Sequence, residues 1–274
     1  MAEIGSIGFI GAGKMGSALI SGVLRAGMVK PAEVFFAETD EGALRRCRKK
    51  HGIEAVSTGS LAERCRVVVL CVKPPVVLPV IRQLAGALGP GKLVVSVAAG
   101  ITTGAIEAEL APGVAVVRAM PNIAATVAAS ATAVAAGATA GREDLELAAR
   151  LLSSVGLVVE LPEALLDAAT GLAGSGPAYV FLFTEALISG ALKVGLPYHE
   201  ARALAVQTLK GAAAMLEADP ESHPAILRDA VTTPGGTTIA ALHELEQKGF
   251  RDAVISAVEA AAERSRELGG AGKK

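Results

Sequence analysis

The sequence predicts an α/β protein with an N-terminal Rossmann-type doubly wound sheet and an all-α C-terminal domain. Short apolar runs alternate with helical patterns as far as residue 161, and a G-x-G-x-x-G segment joins the first run to the first helical pattern. Beyond residue 161 only helical periodicity remains. We therefore predict two domains, 1–161 and 162–274.

Six short runs are the predicted strands of the first domain. Two of them, 66–71 and 92–97, are continuous β-branched runs, typical of strands covered on both faces of a parallel sheet. The other four are 6–10, 33–38, 114–118 and 156–160. The segments 14–26 and 40–51 are the first two predicted helices, the second of them highly charged.

The second domain is predicted to be helical because apolar residues repeat every three or four positions through 177–194, 199–218 and 250–268. Small residues recur on these faces, which suits helices packed at short distance. Such a domain could close its core alone or pair with a second copy of the chain, and we favour pairing.

The composition excludes several classes of protein. Of the 274 residues, 26 are basic and 27 acidic, which argues against nucleic acid or a membrane surface bound through bulk charge. The mean hydropathy is +0.48, and the stretch 168–184 is uncharged and nearly long enough for a membrane span. We expect no membrane span there, because four residues should break the helix: Gly171, Gly174, Gly176 and Pro177.

The cysteines and the N-terminus predict a cytoplasmic protein. Cys47, Cys65 and Cys71 are odd in number and lack Cys-x-x-Cys spacing, which favours reduced thiols. The N-terminus has no basic region of a secretory signal. The four histidines show no metal-ligand spacing, so no metal site is predicted.

A dinucleotide site is predicted where the first strand meets the first helix. The segment there is Gly11-Ala12-Gly13-Lys14-Met15-Gly16. Gly11 permits the turn, Gly13 lets a pyrophosphate approach the backbone, and Gly16 lets the helix pack on the sheet. The phosphates would bind at the helix N-terminus. A purely structural glycine turn is the alternative.

Glu38 favours NADH over NADPH, although we expect both to be accepted. It ends the second strand, 38 − 11 = 27 residues after the first glycine, where an acidic side chain accepts hydrogen bonds from the ribose and repels a 2′-phosphate. Three nearby arginines, Arg45, Arg46 and Arg48, complicate this prediction. A solvated helix face explains them equally well.

Three further strand ends predict a nicotinamide pocket, because ligands of open α/β sheets bind at the carboxyl ends of the strands. One carries a proline turn, one carries small residues, and one is followed by Met-Pro-Asn. The candidate residues are Cys71, Val72, Lys73 and Pro74, then Ala98 and Ala99, then Asn122. A plain proline turn is the alternative at 71–74.

Two uncharged, glycine-rich segments interrupt the helical half, 170–179 and 231–239. The second combines hydroxyls with free backbone N–H groups before an apolar helix, which is a suitable cradle for a carboxylate. An ordinary capped helix start is the alternative. The candidate substrate-binding residues are Val231, Thr233, Gly235, Gly236, Thr237 and Thr238.

Over essentially its whole length the chain resembles the Δ1-pyrroline-5-carboxylate reductases, which catalyse the last step of proline biosynthesis. The resemblance lies in the segments 8–16, 72–74, 96–100, 118–122, 171–179 and 233–243. The last two discriminate best.

The resemblance implies reduction of the imine of 1-pyrroline-5-carboxylate to L-proline with NADPH or NADH. By analogy, Thr238 hydrogen-bonds the ring nitrogen, and the backbone N–H groups of Gly235, Gly236 and Thr237 hold the carboxylate. No metal or charged acid is needed, because an iminium is already electrophilic. The resemblance also implies a homodimer, which in the family commonly assembles further, up to a decamer.

The chain departs from the family pattern at two places. Relatives commonly have Thr-Pro after Met-Pro-Asn, whereas this chain has Ile123 and Ala124, so a hydroxyl near the nicotinamide is missing. Many relatives carry a small polar residue in place of Glu38, while Thr39 matches the neighbouring small hydroxyl position. The resemblance leaves NADH and NADPH open, and Glu38 supports NADH.

Two other functions are weighed against this one. A β-hydroxyacid dehydrogenase usually places Lys or His on the substrate helix, but the predicted helix from Pro177 has neither before Lys193. A non-catalytic dinucleotide-binding regulator would have no use for the Thr-Pro-Gly-Gly-Thr-Thr segment. The reductase therefore remains the preferred hypothesis.

Overall fold

The computed structural model describes residues 4–270, which contain one eight-stranded sheet with the strand order β3-β2-β1-β4-β5-β6-β7-β8. The strands are β1 Ile7–Ile10, β2 Val34–Ala37, β3 Glu54–Ala55, β4 Val67–Leu70, β5 Leu93–Ser96, β6 Ala115–Met120, β7 Ser130–Ala136 and β8 Gly156–Glu160. Neighbouring strands are parallel except β6 and β7, which are antiparallel. The order reverses at β1, as in doubly wound folds.

Helices cover both faces of this sheet. Side chains alternate across β1, so that Ile7 and Phe9 belong to one apolar core and Ile10 to the other. The first core is shared with α1 Lys14–Arg25, α2 Glu41–His51 and α6 Arg142–Ser153. The second core is shared with α3 Thr58–Arg64, α4 Pro74–Leu84 and α5 Thr103–Glu107. The predicted Rossmann-type sheet is confirmed.

The remaining helices follow β8: α7 Leu166–Ala169, α8 Gly176–Lys193, α9 Tyr198–Ala218, α10 Pro224–Ala230, α11 Thr237–Gln247 and α12 Phe250–Gly270. The chain divides into two compact units. The first runs to Pro177 and resumes at Val258, and the second is Ala178–Ala257. The division into domains at residue 161 stays a prediction.

Two strands were absent from the sequence prediction. β3 has only two residues, too few to form a recognisable apolar run. β7 reads Ser-Ala-Thr-Ala-Val-Ala-Ala and contains no β-branched run. Its sequence therefore does not indicate a strand, because Ala favours strands only weakly. Its antiparallel pairing with β6 makes the sheet mixed.

The expectation that glycines break the helix before residue 179 is wrong. Thr170–Gly174 form a π-helical turn between α7 and α8, with Ser175 N–H donating to the Thr170 carbonyl at 2.9 Å. One wider turn therefore absorbs the glycines without ending the helix. The whole stretch Glu163–Lys193 is long and apolar enough to cross a membrane by length and composition, a test that core helices of soluble proteins also pass.

Candidate active site

Each of the three glycines of the fingerprint has a separate structural role in the loop between β1 and α1. Gly11 has φ +95°, and a Cβ there would lie 2.8 Å from the carbonyl oxygen of Cys71. A Cβ at Gly16 would collide with the Gly11 carbonyl oxygen, so α1 starts against the loop. A Cβ at Gly13 would meet nothing within 4 Å. The space in front of Gly13 is where a pyrophosphate needs room.

The N-terminus of α1 also suits an anion. Gly13 caps the helix without a side-chain hydrogen bond, and the first turn contains no acidic residue. The first turn itself therefore contributes no carboxylate that would neutralise the helix dipole or its first N–H groups. Lys14 and Met15, the other fingerprint residues, form this first turn, with Lys14 exposed.

Glu38 folds back onto the backbone beside this loop. Its Oε2 accepts the N–H of Ala12 at 2.7 Å, and its Oε1 accepts those of Thr39 at 2.7 Å and Asp40 at 2.9 Å. The carboxylate therefore joins the end of β2 to the fingerprint loop and occupies three backbone donors. A carboxylate still has lone pairs for a ribose hydroxyl after these bonds.

A cavity of about 430 Å³ opens between Glu38 and α4. Its walls come from the ends of β1 and β2, from the loop before α3, and from one face of α4. Seven residues of the last two groups are not among those predicted from the sequence: Val56, Ser57, Thr58, Val76, Pro79, Val80 and Gln83. Largely apolar walls with Glu38 and Thr39 at one end suit an adenosine.

The predicted residues at the ends of β4 and β5 lie as follows. Val72 also lines the 430 Å³ cavity, while Lys73 and Pro74 are the cap and first residue of α4. Ala98 is buried, and Ala99 is half-buried. Gly100, with φ +77°, packs against the end of α12, where a Cβ would lie 2.9 Å from the backbone nitrogen of Gly269.

Asn122 is buried, and its side chain connects β6 to the π-helical turn. Its Nδ2 donates to the carbonyl of Ala173 at 3.0 Å, and its Oδ1 accepts the N–H of Ala124 at 3.0 Å. Ile123 and Ala124 begin a 3₁₀ turn, Ile123–Val127. The amide thus ties two of the segments that carry the family resemblance to each other.

A buried ion cluster holds the start of the same connection. The Arg118 side chain on β6 is 3% exposed, with Nη2 3.0 Å from Asp167 and Nη1 3.6 Å from Glu163. Glu163 accepts the N–H and the hydroxyl of Thr103, both at 2.7 Å, and Asp167 accepts the hydroxyl of Ser265 at 2.7 Å. Helices α5, α7 and α12 are therefore fixed to the strand that leads to Asn122.

In the second unit, the segment 231–238 forms a turn before α11. The Gly236 N–H donates to the Thr233 carbonyl at 3.0 Å, with Pro234 and Gly235 (φ +68°) between them, as in a type II turn. Val231 lies just after α10, and its side chain is exposed. The N–H of Gly236 is consequently used inside the turn.

The first N–H groups of α11 point out of this turn without acceptors. Gly236 caps the helix with no side-chain bond, and within residues 4–270 the N–H groups of Thr237, Thr238 and Ile239 have no backbone or side-chain acceptor. The first turn contains no acidic side chain. The alternative interpretation, a helix start capped by a threonine hydroxyl, does not hold for this helix, whose N-terminus is left suited to a carboxylate.

Burial favours the neutral forms of the three cysteines and of His51. Burial raises the pKa of the Cys71 thiol to about 12 and those of Cys47 and Cys65 to about 11. Burial also lowers the pKa of His51, whose Nε2 lies 3.2 Å from the Ser17 hydroxyl. No group of three or more His, Cys, Asp or Glu in the described part of the chain could hold a metal ion.

Two models of known protein families match two different parts of the chain. Residues 163–268 match a family model described as pyrroline-5-carboxylate reductase dimerisation. Residues 6–100 match one described as NADP oxidoreductase, coenzyme F420-dependent.

Relatives match over nearly the whole chain. A pyrroline-5-carboxylate reductase of Methanosarcina acetivorans is 44% identical over 96% of this chain and 97% of its own length. The solved reductase of Coxiella burnetii is 36% identical, with a TM-score of 0.89 over 97% of this chain and 98% of its own. The Plasmodium falciparum enzyme, solved with NADP bound, is 31% identical, with a TM-score of 0.88 over 98% of this chain and all of its own.

Proposed function

The chain belongs to the pyrroline-5-carboxylate reductase family, and we propose that it reduces 1-pyrroline-5-carboxylate to L-proline with NADH or NADPH. The observation that carries the proposal is the uncapped N-terminus of α11 behind the Thr-Pro-Gly-Gly turn, in a chain that also holds an intact dinucleotide loop. The first feature suits a small carboxylate, and the second suits the cofactor.

The first unit fits the dinucleotide. Gly13 leaves room for the pyrophosphate, and the cavity beside Glu38 and Thr39 accommodates adenosine. Ala98, Ala99, Lys73 and Pro74 lie at the ends of the next strands, where we place the nicotinamide. When bound, the dihydronicotinamide supplies the hydride that reduces the carbon–nitrogen double bond.

The second unit supplies the substrate contacts in this proposal. The N–H groups of Thr237 and Thr238, with that of Gly235, bind the carboxylate, while Gly236 maintains the turn through its bond to Thr233. The Thr238 hydroxyl orients the ring nitrogen and relays a proton. It is not a strong acid, because a threonine hydroxyl holds its proton far too tightly, so positioning carries most of the catalysis.

We further propose that the enzyme works as a cytoplasmic homodimer, with no membrane or nucleic-acid partner. Large apolar side chains of α8 and α9 are exposed in the single chain, and the matched dimerisation model spans both helices. Free thiols at all three cysteines suit a reducing compartment. The proposal extends to larger rings, up to a decamer, in which such dimers assemble further, as the family resemblance implies.

A pair of variants tests the role of Thr238. Thr238→Ala removes the hydroxyl, and we expect kcat to fall about tenfold or more, as for loss of a positioned proton relay. The NADH Kd, measured by fluorescence titration, should change less than about twofold, because the hydroxyl does not contact the cofactor in this proposal.

Thr238→Ser is the matched control, since it keeps the hydroxyl and should retain most of the turnover. Equal loss in both variants would show that the methyl group and packing matter, not the hydroxyl. Loss of NADH binding in Thr238→Ala would contradict the assigned role.

A further inference from the structure

A second cavity, of about 650 Å³, lies on the other side of the fingerprint loop, between α1 and α2. Three basic side chains line it: Lys14 from α1, and Arg46 and Lys50 from α2. Ser17 and Thr126 contribute hydroxyls. Neither Glu38 nor Thr39 lines this cavity. It is therefore separate from the cavity of about 430 Å³ beside Glu38 and Thr39, which we call the adenosine-side cavity.

The positive charge of this cavity is little compensated. Arg46 lies 3.9 Å from Asp40, and within residues 4–270 Lys14 and Lys50 form no ion pair. By contrast, Arg45 on the same helix pairs with Glu41 at 2.9 Å. The basic residues of α2 therefore differ in their surroundings: Arg46 and Lys50 line the cavity, whereas Arg45 pairs with a carboxylate of its own helix.

The arrangement concentrates positive charge around one solvent-exposed cavity. Arg46 and Lys50 are four residues apart on α2, a spacing at which like charges destabilise a helix. The positive end of the α1 dipole and Lys14 face the same cavity. Two carboxylates lie beside the cavity without lining it: Glu38, which accepts the Ala12 N–H, and Asp40, which faces Arg46. Burial keeps Cys47 protonated through a raised pKa and favours neutral His51 through a lowered one, so neither adds a charge.

We propose that this cavity is a binding site for a phosphate chain, one that adjoins the dinucleotide site and shares Gly13 and Lys14 with it. Arg46 presents a fork suited to two phosphate oxygens, and Lys14 and Lys50 add point charges. The Ser17 hydroxyl can donate a hydrogen bond, whereas the Thr126 hydroxyl already donates to the Ile123 carbonyl at 2.8 Å. The volume exceeds what one orthophosphate needs, which favours two or three linked phosphates. Because Gly13 and Lys14 belong to both sites, an occupant competes with the pyrophosphate of the cofactor.

Calorimetry of the full chain with tripolyphosphate tests the site, at constant ionic strength because exposed charges are screened by salt. We expect one tripolyphosphate to bind per chain. The double variant Arg46→Gln, Lys50→Gln should weaken this binding about tenfold or more, since two of the three cations are lost.

The matched control is Arg48→Gln, Lys49→Gln, which removes the same charge from the same helix without touching the cavity lining. It should leave the tripolyphosphate Kd within about twofold, allowing for long-range screened charge. Equal weakening in both double variants, or absence of binding to the native chain, would overturn the proposal.

Titration with NADH and NADPH separates this site from the proposed cofactor site. Without tripolyphosphate, Arg46→Gln, Lys50→Gln should bind both dinucleotides as the native chain does. With tripolyphosphate, NADH binding should weaken in the native chain and much less in this variant. A large loss of NADPH affinity in the variant would assign the cavity to the 2′-phosphate and contradict a separate site. Failure of NADH to bind at all would refute only the proposed dinucleotide function.

Discussion

At the scale of single residues, the Glu38 carboxylate determines the charge and the free hydrogen-bond donors at the proposed ribose site. Its carboxylate takes the N–H groups of Ala12, Thr39 and Asp40, which are the backbone donors nearest to the end of β2. A 2′-phosphate at this place would meet a negative charge and find those donors occupied. The geometry therefore strengthens the expectation that NADH is preferred.

Replacing this residue should shift the cofactor preference. In Glu38→Ser the charge is removed and three N–H groups are freed, so we expect the ratio of kcat/KM for NADPH over that for NADH to rise about tenfold. Steady-state kinetics with both cofactors measures the ratio.

Glu41→Ser is the control, because it removes an exposed carboxylate on the first turn of α2 that pairs with Arg45 and does not line the adenosine-side cavity. Its ratio should stay unchanged. An unchanged ratio in Glu38→Ser would show that this side chain does not face the ribose.

Single residues were predictable where the backbone alone imposes a requirement. The positive φ of Gly11 and the close approach at Gly16 follow from the spacing of the fingerprint. The inward hydrogen bonds of Glu38 and Asn122 were not predictable, because they depend on loops that meet only in the folded chain. The same reason hid Val56 and Gln83, which line the adenosine-side cavity from the loop before α3 and from α4.

At the scale of elements, the π-helical turn explains why the chain has several glycines where a helix break was predicted. A Cβ at Gly171 would lie 2.5 Å from the carbonyl oxygen of Val258 and 3.1 Å from the backbone nitrogen of Ala262. Helix α12 therefore packs directly against the backbone of the turn. The glycine cluster serves close packing, which periodicity alone cannot distinguish from helix breaking.

Two glycines of one motif should respond oppositely to the same substitution. Gly171→Ala forces α12 away and should destabilise the fold by about 1–3 kcal/mol, as overpacking does. Gly176→Ala should be neutral or slightly stabilising, because its Cβ meets nothing within 4 Å and Ala favours a helix. Urea unfolding at one protein concentration measures both. Similar losses in the two variants would mean that the turn does not pack as described.

The strands show where sequence patterns reach their limit. The β-branched runs of β4 and β5 were recognised to within one residue at each end, since only buried parallel strands read that way. β7 consists largely of alanine, and its place in the sheet is fixed by pairing with β6 and β8. Tertiary contacts, not local propensity, define that strand.

At the scale of the whole molecule, the exposed apolar surface of the second unit supports the proposed dimer. Phe181 on α8 is 67% exposed, and several other large apolar side chains of α8 and α9 are between 37% and 69% exposed. Light scattering should give a mass of at least twice the 27.5 kDa of one chain. Phe181→Glu should shift it towards that of one chain, because burying a carboxylate in an apolar interface is costly.

The control for this experiment lies in the first unit. Val127 is 73% exposed, and it lies outside the residues matched by the dimerisation model. Val127→Glu should leave the mass unchanged. A folded native chain with the mass of one copy would contradict the dimer.

Conversion of 1-pyrroline-5-carboxylate by the purified protein tests the central claim most directly. Oxidation of NADH or NADPH, followed by the absorbance of the dihydronicotinamide, should match the L-proline formed mole for mole. Ketones derived from 3-hydroxy acids should give no oxidation. A folded protein that binds the dinucleotide but leaves the imine unreduced would contradict the proposed function.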